Sequence, residues 1–295
     1  MEKINLPSDI EKFYLREISS YFKRNKTFKY KDIAKIIKLT LGLSLKKLLI
    51  LKPNEIIKIV NNTSTTFTDT DKKTMENLYK NFRESVSSKN FLEKINLHVC
   101  PYCNRNFIFN FNKKKSKEAT AQLDHFFDKS TYPHLAICMY NLVPSCGTCN
   151  QRKSKDKRTV FYPYEESFNQ NAKFIYDGIK TNLKNQKLDF FDENRISLKI
   201  EVINEKSKVE NHIEVFNIEN LYENHKDVVK ELLQKRVIYN DSYIEELFSQ
   251  YGGKIFSSRE ELLRLLTCGY LSNEDINKRP LSKLIKDISE DLGIK

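Results

Sequence analysis

Cys100-Pro101-Tyr102-Cys103 opens, and Cys146-Gly147-Thr148-Cys149-Asn150 closes, the stretch that decides how this chain is put together. Between them lie Leu123-Asp124-His125-Phe126-Phe127 and Asn141-Leu142-Val143-Pro144-Ser145. Two thiolates on one tight turn fit two tetrahedral vertices, and two such turns complete a closed site. Cys100, Cys103, Cys146 and Cys149 therefore read as ligands of one structural zinc. Residues 104–145 are too many for a simple zinc ribbon, so a further element must sit between the pairs. A redox C-x-x-C pair or buried structural thiols are the competing readings. A redox site would use one pair and leave the other idle.

Working outward, the whole-chain numbers set limits. The 295 residues suffice for two modest domains, or for one with extensions. Hydrophobic content of 39% can fill a core, so disorder is not expected. Lys+Arg 51 against Asp+Glu 39 gives a net charge of +12, which suits a polyanionic partner or, equally, a lysine-rich solvated surface. No early apolar run resembles a signal peptide, and nothing approaches the roughly 20 apolar residues that span a bilayer. The expected location is cytoplasmic, without a membrane. Thiols stay reduced there, which favours metal over disulfides.

Residues 1–95 read as a helical region. Ser8-Asp9-Ile10-Glu11 has the form of a capping box, and Ile10, Tyr14, Ile18 and Tyr21/Phe22 mark an apolar face behind it. Further helices are expected near Tyr30–Leu41 and Asp71–Val86, with Asn61–Thr70 as a loop. Residues 96–165 form the core. Phe107, Phe109 and Phe111 alternate on a strand, and a second strand around Ala121–Phe127 is expected to pair with it. Lys113–Lys117 reads as a solvated hairpin tip that could also reach phosphate. A helix begins near Gly147. Residues 166–295 are mixed and mainly helical. Strands are expected over Lys173–Ile179 and Ile196–Ile203, and a long amphipathic segment over Ile218–Phe248 ending at Gly252-Gly253. Helices follow near Arg259–Leu266 and from Pro280, taken as a first helical position, to Gly293.

The chemistry-bearing set lies inside the cysteine bracket. His125 suits a general base, because imidazole titrates close to neutral pH. Asp124 offers a hard oxygen for Mg²⁺ or a similar ion, and Asn150 a neutral amide oxygen. Asn141 is cast as an orienter that braces the loop or the base. Such a set suits phosphodiester hydrolysis, which needs a base for water and a cation on the phosphate. Adjacent strand residues point to opposite faces, so Asp124 and His125 share a site only if the strand ends or bulges there. Arg152, Lys153, Lys155, Lys157 and Arg158 could grip phosphates without reading bases, or form a solvated face. His98, His134, His212 and His225 read as core or surface histidines, and Cys138 and Cys268 as buried thiols. Tyr132 and Tyr162 could stack on a base, but in a tyrosine-rich chain they are assigned to core packing.

With Cys100-Pro-Tyr-Cys103, Leu123-Asp124-His125, Asn141-Leu142 and Cys146-x-x-Cys149-Asn150-x-x-Lys153 on the page, the stretch resembles the zinc-bound branch of the HNH (His-Me finger, ββα-metal) endonucleases. Asn150 stands at the third motif position, where the name has His. The resemblance implies a zinc-braced ββα-metal core in an α+β protein, flanked by mainly helical N- and C-terminal regions. It implies that His125 activates water, that Asp124 and Asn150 bind catalytic Mg²⁺ or Mn²⁺, and that Asn141 holds the loop. It also implies a helix at a DNA minor groove and products carrying 5′-phosphate. The run His125–Ala136 with Asn141–Cys146 is further similar to the PtuB-like nucleases of Septu-type and retron-linked anti-phage defence, with Asp128 where that group has Pro. Those proteins work beside an ATPase partner of PtuA type. Double-stranded DNA is the expected substrate. An RNA- or tRNA-cleaving toxin and a non-catalytic zinc module that binds nucleic acid or a partner are the alternatives.

Overall fold

Apolar side chains recur at helical spacing through the first third of the chain, and each run folds as a helix in the computed structural model. The structure describes residues 1–62, 67–113, 116–154, 156, 158–177 and 193–294. The helices are α1 (Ile10–Arg24), α2 (Tyr30–Leu41), α3 (Leu45–Leu49), α4 (Pro53–Asn62), α5 (Asp69–Glu84) and α6 (Val86–Ile95). Ile10, Tyr14, Ile18, Tyr21 and Phe22 form the buried stripe of α1. The Tyr14 ring centroid lies 4.7 Å from that of Phe91 on α6 and 6.2 Å from that of Phe82 on α5. α2 ends where Gly42 turns to φ 70°. The side chains of Thr68 and Ser85 cap α5 and α6 by accepting from the backbone N–H of Asp71 and Ser88. The capping box expected at Ser8 is not formed. Asp9 holds the N-cap position without a side-chain cap bond, because its carboxylate pairs with Lys94 at 2.9 Å.

The central segment carries β1 (Asn110–Lys113), β2 (Ser116–Ala119), β3 (Gln122–His125), β4 (Leu142–Ser145) and α7 (Gly147–Lys153). Strand pairing departs from expectation. β1 folds back on β2, and β3 pairs antiparallel with β4, placing Asp124 opposite Val143 and His125 opposite Leu142. A short hairpin closes at little entropic cost, so β1 is taken by its sequence neighbour. β3 is then free to bury its edge against β4, all four residues of which are buried. β3 ends at His125 and does not run on through Phe127.

Beyond this segment, β5 (Ala172–Asp177) and β6 (Ser197–Val202) form a third antiparallel pair, as the alternation predicts. α8 (Lys206–Phe216) follows in a stretch for which no helix is predicted. The long helix expected over 218–248 is divided into α9 (Ile218–Tyr222), α10 (Lys226–Ile238) and α11 (Asp241–Tyr251). Asn240 makes the second break, its side chain accepting from the Tyr243 N–H as an N-cap. α12 (Arg259–Thr267) ends at Cys268, which is exposed at φ 61° and not a buried thiol. α13 (Ser282–Asp291) starts two residues later than Pro280 suggests, after Leu281 at φ 62°. Docking sets that start, because the Leu281 N–H donates to the Asn104 carbonyl and the Lys283 N–H to Asn104 Oδ1. One buried apolar cluster runs from Met1 to Ile294 through all three regions. The fold is thus mixed α+β, with helices and small antiparallel sheets around a four-cysteine cluster. No helix among the described residues is long and apolar enough to cross a membrane.

Candidate functional site

The four cysteines of the two C-x-x-C pairs converge. Asn104, at φ 48°, turns the chain after Cys103 and donates its N–H to the Cys100 carbonyl at 2.9 Å. Cys146 is the N-cap residue of α7 and Cys149 lies within its first turn. All four Sγ atoms are buried, none is in a disulfide, and they lie within 4.8 Å of one another. Zinc–sulfur bonds of about 2.3 Å give a tetrahedral edge of about 3.8 Å, so the donor set fits a structural metal such as zinc. Hydrogen bonds from Cys100, and then from Cys103 and Cys149, hold the Cys146 thiol far below its ordinary range. Asn106 Nδ2 also donates to Cys146 Sγ at 3.3 Å, as outer partners of a metal-bound sulfur do.

The turn is fastened from outside as well. Pro101 accepts from the Met1 amine, Tyr102 from His212 Nε2 at 2.9 Å, Cys103 from the Tyr222 hydroxyl at 2.7 Å, and Asn104 from the Leu281 N–H at 2.7 Å. Each backbone carbonyl from Cys100 to Asn104 is satisfied, and the last four accept from the chain start, α8, α9 and the approach to α13.

Beside the cluster, β3, α7 and the segments that follow each of them frame a cleft of about 470 Å³ whose lining includes Asp124, His125, Asn150 and Lys153. Alternation along β3 puts Gln122 and Asp124 on one face. Gln122 Oε1 accepts from Asn150 Nδ2 at 2.6 Å, which leaves Asn150 Oδ1 as that amide's acceptor toward a cation. Asp124 is 3% exposed. Its Oδ2 accepts from the Tyr102 hydroxyl at 2.7 Å and lies 3.8 Å from Lys153 Nζ. Burial pushes its carboxyl above the usual range, and Lys153 and Tyr102 oppose that rise.

His125 closes β3. Its Nε2 lies 2.9 Å from the Ala136 carbonyl, which only accepts, so Nε2 carries the proton and Nδ1 the lone pair. Its ring packs edge-on against Tyr79 of α5, centroids 4.2 Å apart. Burial pulls its pKa down to about 3, so the imidazole is neutral at ordinary pH.

Residues 126–141, between the two strands, are tied inward by side chains. Asn141 is fully buried, accepts from the Phe127 N–H at 2.7 Å and donates to the Phe127 and Leu135 carbonyls. The hydroxyls of Tyr14 and Tyr162 donate to Ile137 and Tyr140, each at 2.8 Å. Asp128 turns the chain by accepting from the N–H groups of Ser130 and Thr131.

The basic run divides. Lys153 turns inward, donating to the Phe126 carbonyl at 2.6 Å and lying over the Phe126 ring. Arg158 lines the cleft, but its guanidinium is engaged by Asp156 and Glu214. Arg152 is half-buried. Lys155 and Lys157 lie outside the described residues. Three contributors were not anticipated. Tyr102 and Gln122 were legible in principle, the first by lying inside the first C-x-x-C turn and the second by sharing Asp124's strand face. Nothing local marks Tyr79, which arrives from a distant helix. A scan against protein-family models, a search of curated proteins and a search of solved structures each found no match for this chain.

Proposed function

We propose that this protein is a metal-dependent endonuclease of the HNH type that hydrolyses phosphodiester bonds of DNA. One observation carries the reading: a neutral imidazole with Nδ1 as its acceptor shares a cleft with a buried carboxylate and an oriented amide, on a hairpin and helix joined to a four-thiol cluster. His125 Nδ1 takes a proton from the attacking water, which a bound cation would have to acidify because burial holds the pKa of this imidazole well below neutral, and the Ala136 carbonyl fixes the tautomer that leaves Nδ1 free to accept. A bound Mg²⁺ or Mn²⁺ supplies charge for the phosphate and the leaving alkoxide. Asp124 and Asn150 are the residues that would hold it. Tyr102 and Lys153 oppose the rise that burial imposes on the Asp124 carboxyl and orient it, and Asn141 fixes the chain that follows His125. The structural metal in the cysteine cluster is zinc in this reading. The net charge of +12 favours a polyanionic substrate. An effector role in anti-phage defence, beside an ATPase partner, follows from the sequence resemblance.

The test incubates zinc-loaded protein with duplex DNA, single-stranded DNA and tRNA, in Mg²⁺, Mn²⁺ or EDTA. Duplex DNA is expected to be cut with either ion and left intact in EDTA. His125→Ala is expected to lower the rate by roughly 10²–10⁴-fold. Undiminished cutting by that variant would remove the base assignment, and preferential cutting of tRNA would move the substrate to RNA.

A further inference from the structure

Among the described residues, three cationic side chains line the cleft: Lys129, Lys153 and Arg158. Two of them are already engaged. Lys153 is held by the His125 and Phe126 carbonyls and faces Asp124, and Arg158 is held by Asp156 and Glu214. Lys129 differs. No hydrogen-bond acceptor and no carboxylate among the described residues holds its ammonium, which lies over the Tyr79 ring at 5.2 Å from the centroid. Asp128, its neighbour in sequence, spends its carboxylate on Ser130 and Thr131. Glu76 of α5, which also feels the Lys129 charge, pairs with Lys80 at 2.9 Å.

The place of this charge is fixed from two sides. Tyr79 anchors its hydroxyl on the Leu123 carbonyl at 2.8 Å, and its ring packs edge-on against His125. The Lys129 backbone lies in a turn that the Tyr132 N–H closes by donating to the Asp128 carbonyl at 2.8 Å. One aromatic ring thus carries the ammonium and braces the imidazole. Burial dominates the shifts of both titrating neighbours. Behind it, Lys129 lowers the His125 imidazole more than Lys153 does, and it also lowers the Asp124 carboxyl. A half-buried ammonium beside that pair, with no anion of its own, suits an arriving phosphate oxygen, which lysine holds as a point charge with three donors. Such a charge also offsets what develops on a phosphodiester under attack. We propose that Lys129 binds a backbone phosphate of nucleic acid in the cleft and sets the strand against Asp124 and His125. The proposal rests on the nuclease reading of that cleft and adds the residue that holds the substrate there.

The experiment measures fluorescence anisotropy of a labelled DNA duplex with the full-length, zinc-loaded protein in EDTA, across a series of salt concentrations. Lys129→Met keeps an apolar stem over Tyr79 and removes the charge. It should weaken binding on the order of tenfold and reduce the slope of log affinity against log salt by about one, with zinc content and melting temperature unchanged. Lys129→Arg should restore most of that slope. Lys206→Met, which removes a charge 77% exposed on α8, should leave the slope as it is. A wild-type slope in Lys129→Met would overturn the anchor, as would wild-type protein that ignores the duplex. So would an equal loss in Lys206→Met, or a loss in Lys129→Arg as deep as in Lys129→Met, since these indicate general charge or local packing. Because binding is read without cleavage, the two readings fail separately. Binding that depends on Lys129 without cutting in Mn²⁺ keeps the anchor and sinks the nuclease; cutting indifferent to Lys129 does the reverse.

Discussion

The turn Cys100–Asn104 and the loop 126–141 both have their polar backbone tied down, but the ties run in opposite directions. The turn is gripped by groups arriving from the chain start, α8, α9 and α13. The loop is gripped largely from within and beside itself, by Asn141 and His125, with tyrosines behind. The difference teaches what each can lose. Damage to the turn releases four remote parts of the molecule. Damage to the loop displaces the groups lining one cleft.

The strongest way to break this contrast is to remove a thiol. Cys146→Ser is expected to lose the bound zinc and several kcal/mol of stability, lowering the melting temperature on the order of 10 °C. Unchanged metal content and melting would show that the turn does not depend on metal.

Acid probes both places at once, because each has a buried histidine. Burial lowers His134, in the loop, to about 4, and His212, which donates to the turn, to about 3. Unfolded, both titrate near 6.5. Between about pH 6.5 and 4 the unfolded chain therefore binds more protons than the native one, and stability falls as pH falls. Together with His125, which burial likewise holds at about 3, these groups contribute a slope of about 4 kcal/mol per pH unit through most of that window. Urea unfolding across it measures the slope. His134→Gln should remove roughly a third of the contribution, and an unchanged slope would locate the acid sensitivity elsewhere.

Asn141→Ala sharpens the comparison from the loop side. It orphans the Phe127 N–H and two carbonyls, at a cost of about 3 kcal/mol. Zinc content should be retained while cleavage is lost. Loss of zinc would show that the loop and the turn are a single unit.

The gentlest test touches a bond between the turn and β3, the strand that leads into the loop. Tyr102→Phe removes the hydroxyl on Asp124 and should cost about 1–2 kcal/mol. Under the proposed chemistry, zinc stays bound, the Mn²⁺ concentration for half-maximal cutting rises, and the rate falls. An unchanged Mn²⁺ midpoint would make Tyr102 a packing residue only.

How much of this could be read in advance depends on how local each cause is. The cysteines were legible because ligand spacing is local chemistry, and α2, β5 and β6 because their periodicity is unbroken. Strand pairing was misread because strands of four residues specify partners weakly, and the competition between β2 and β4 is decided by closure and burial. The start of α13 was misplaced because a contact with Asn104, far away in sequence, overrides the preference of Pro280. Tyr102 passed as one more tyrosine, since nothing in its neighbours announces where a phenol hydroxyl will end. Asp124, His125, Asn141 and Asn150 were picked out by order and bracketing, but the partners that orient them come from other elements.

Asn104 bears on how the molecule comes into being. Its side chain and carbonyl reach partners 172 to 179 positions along the chain, while the sulfurs of the cluster come from residues fewer than fifty apart. Contacts of such long range form late. During synthesis the four thiols are complete once Cys149 has emerged, whereas the seat of α13 waits for residues more than a hundred positions further on. Ion capture can thus precede final closure, and a chain truncated before α13 should still hold its ion while leaving that seat bare.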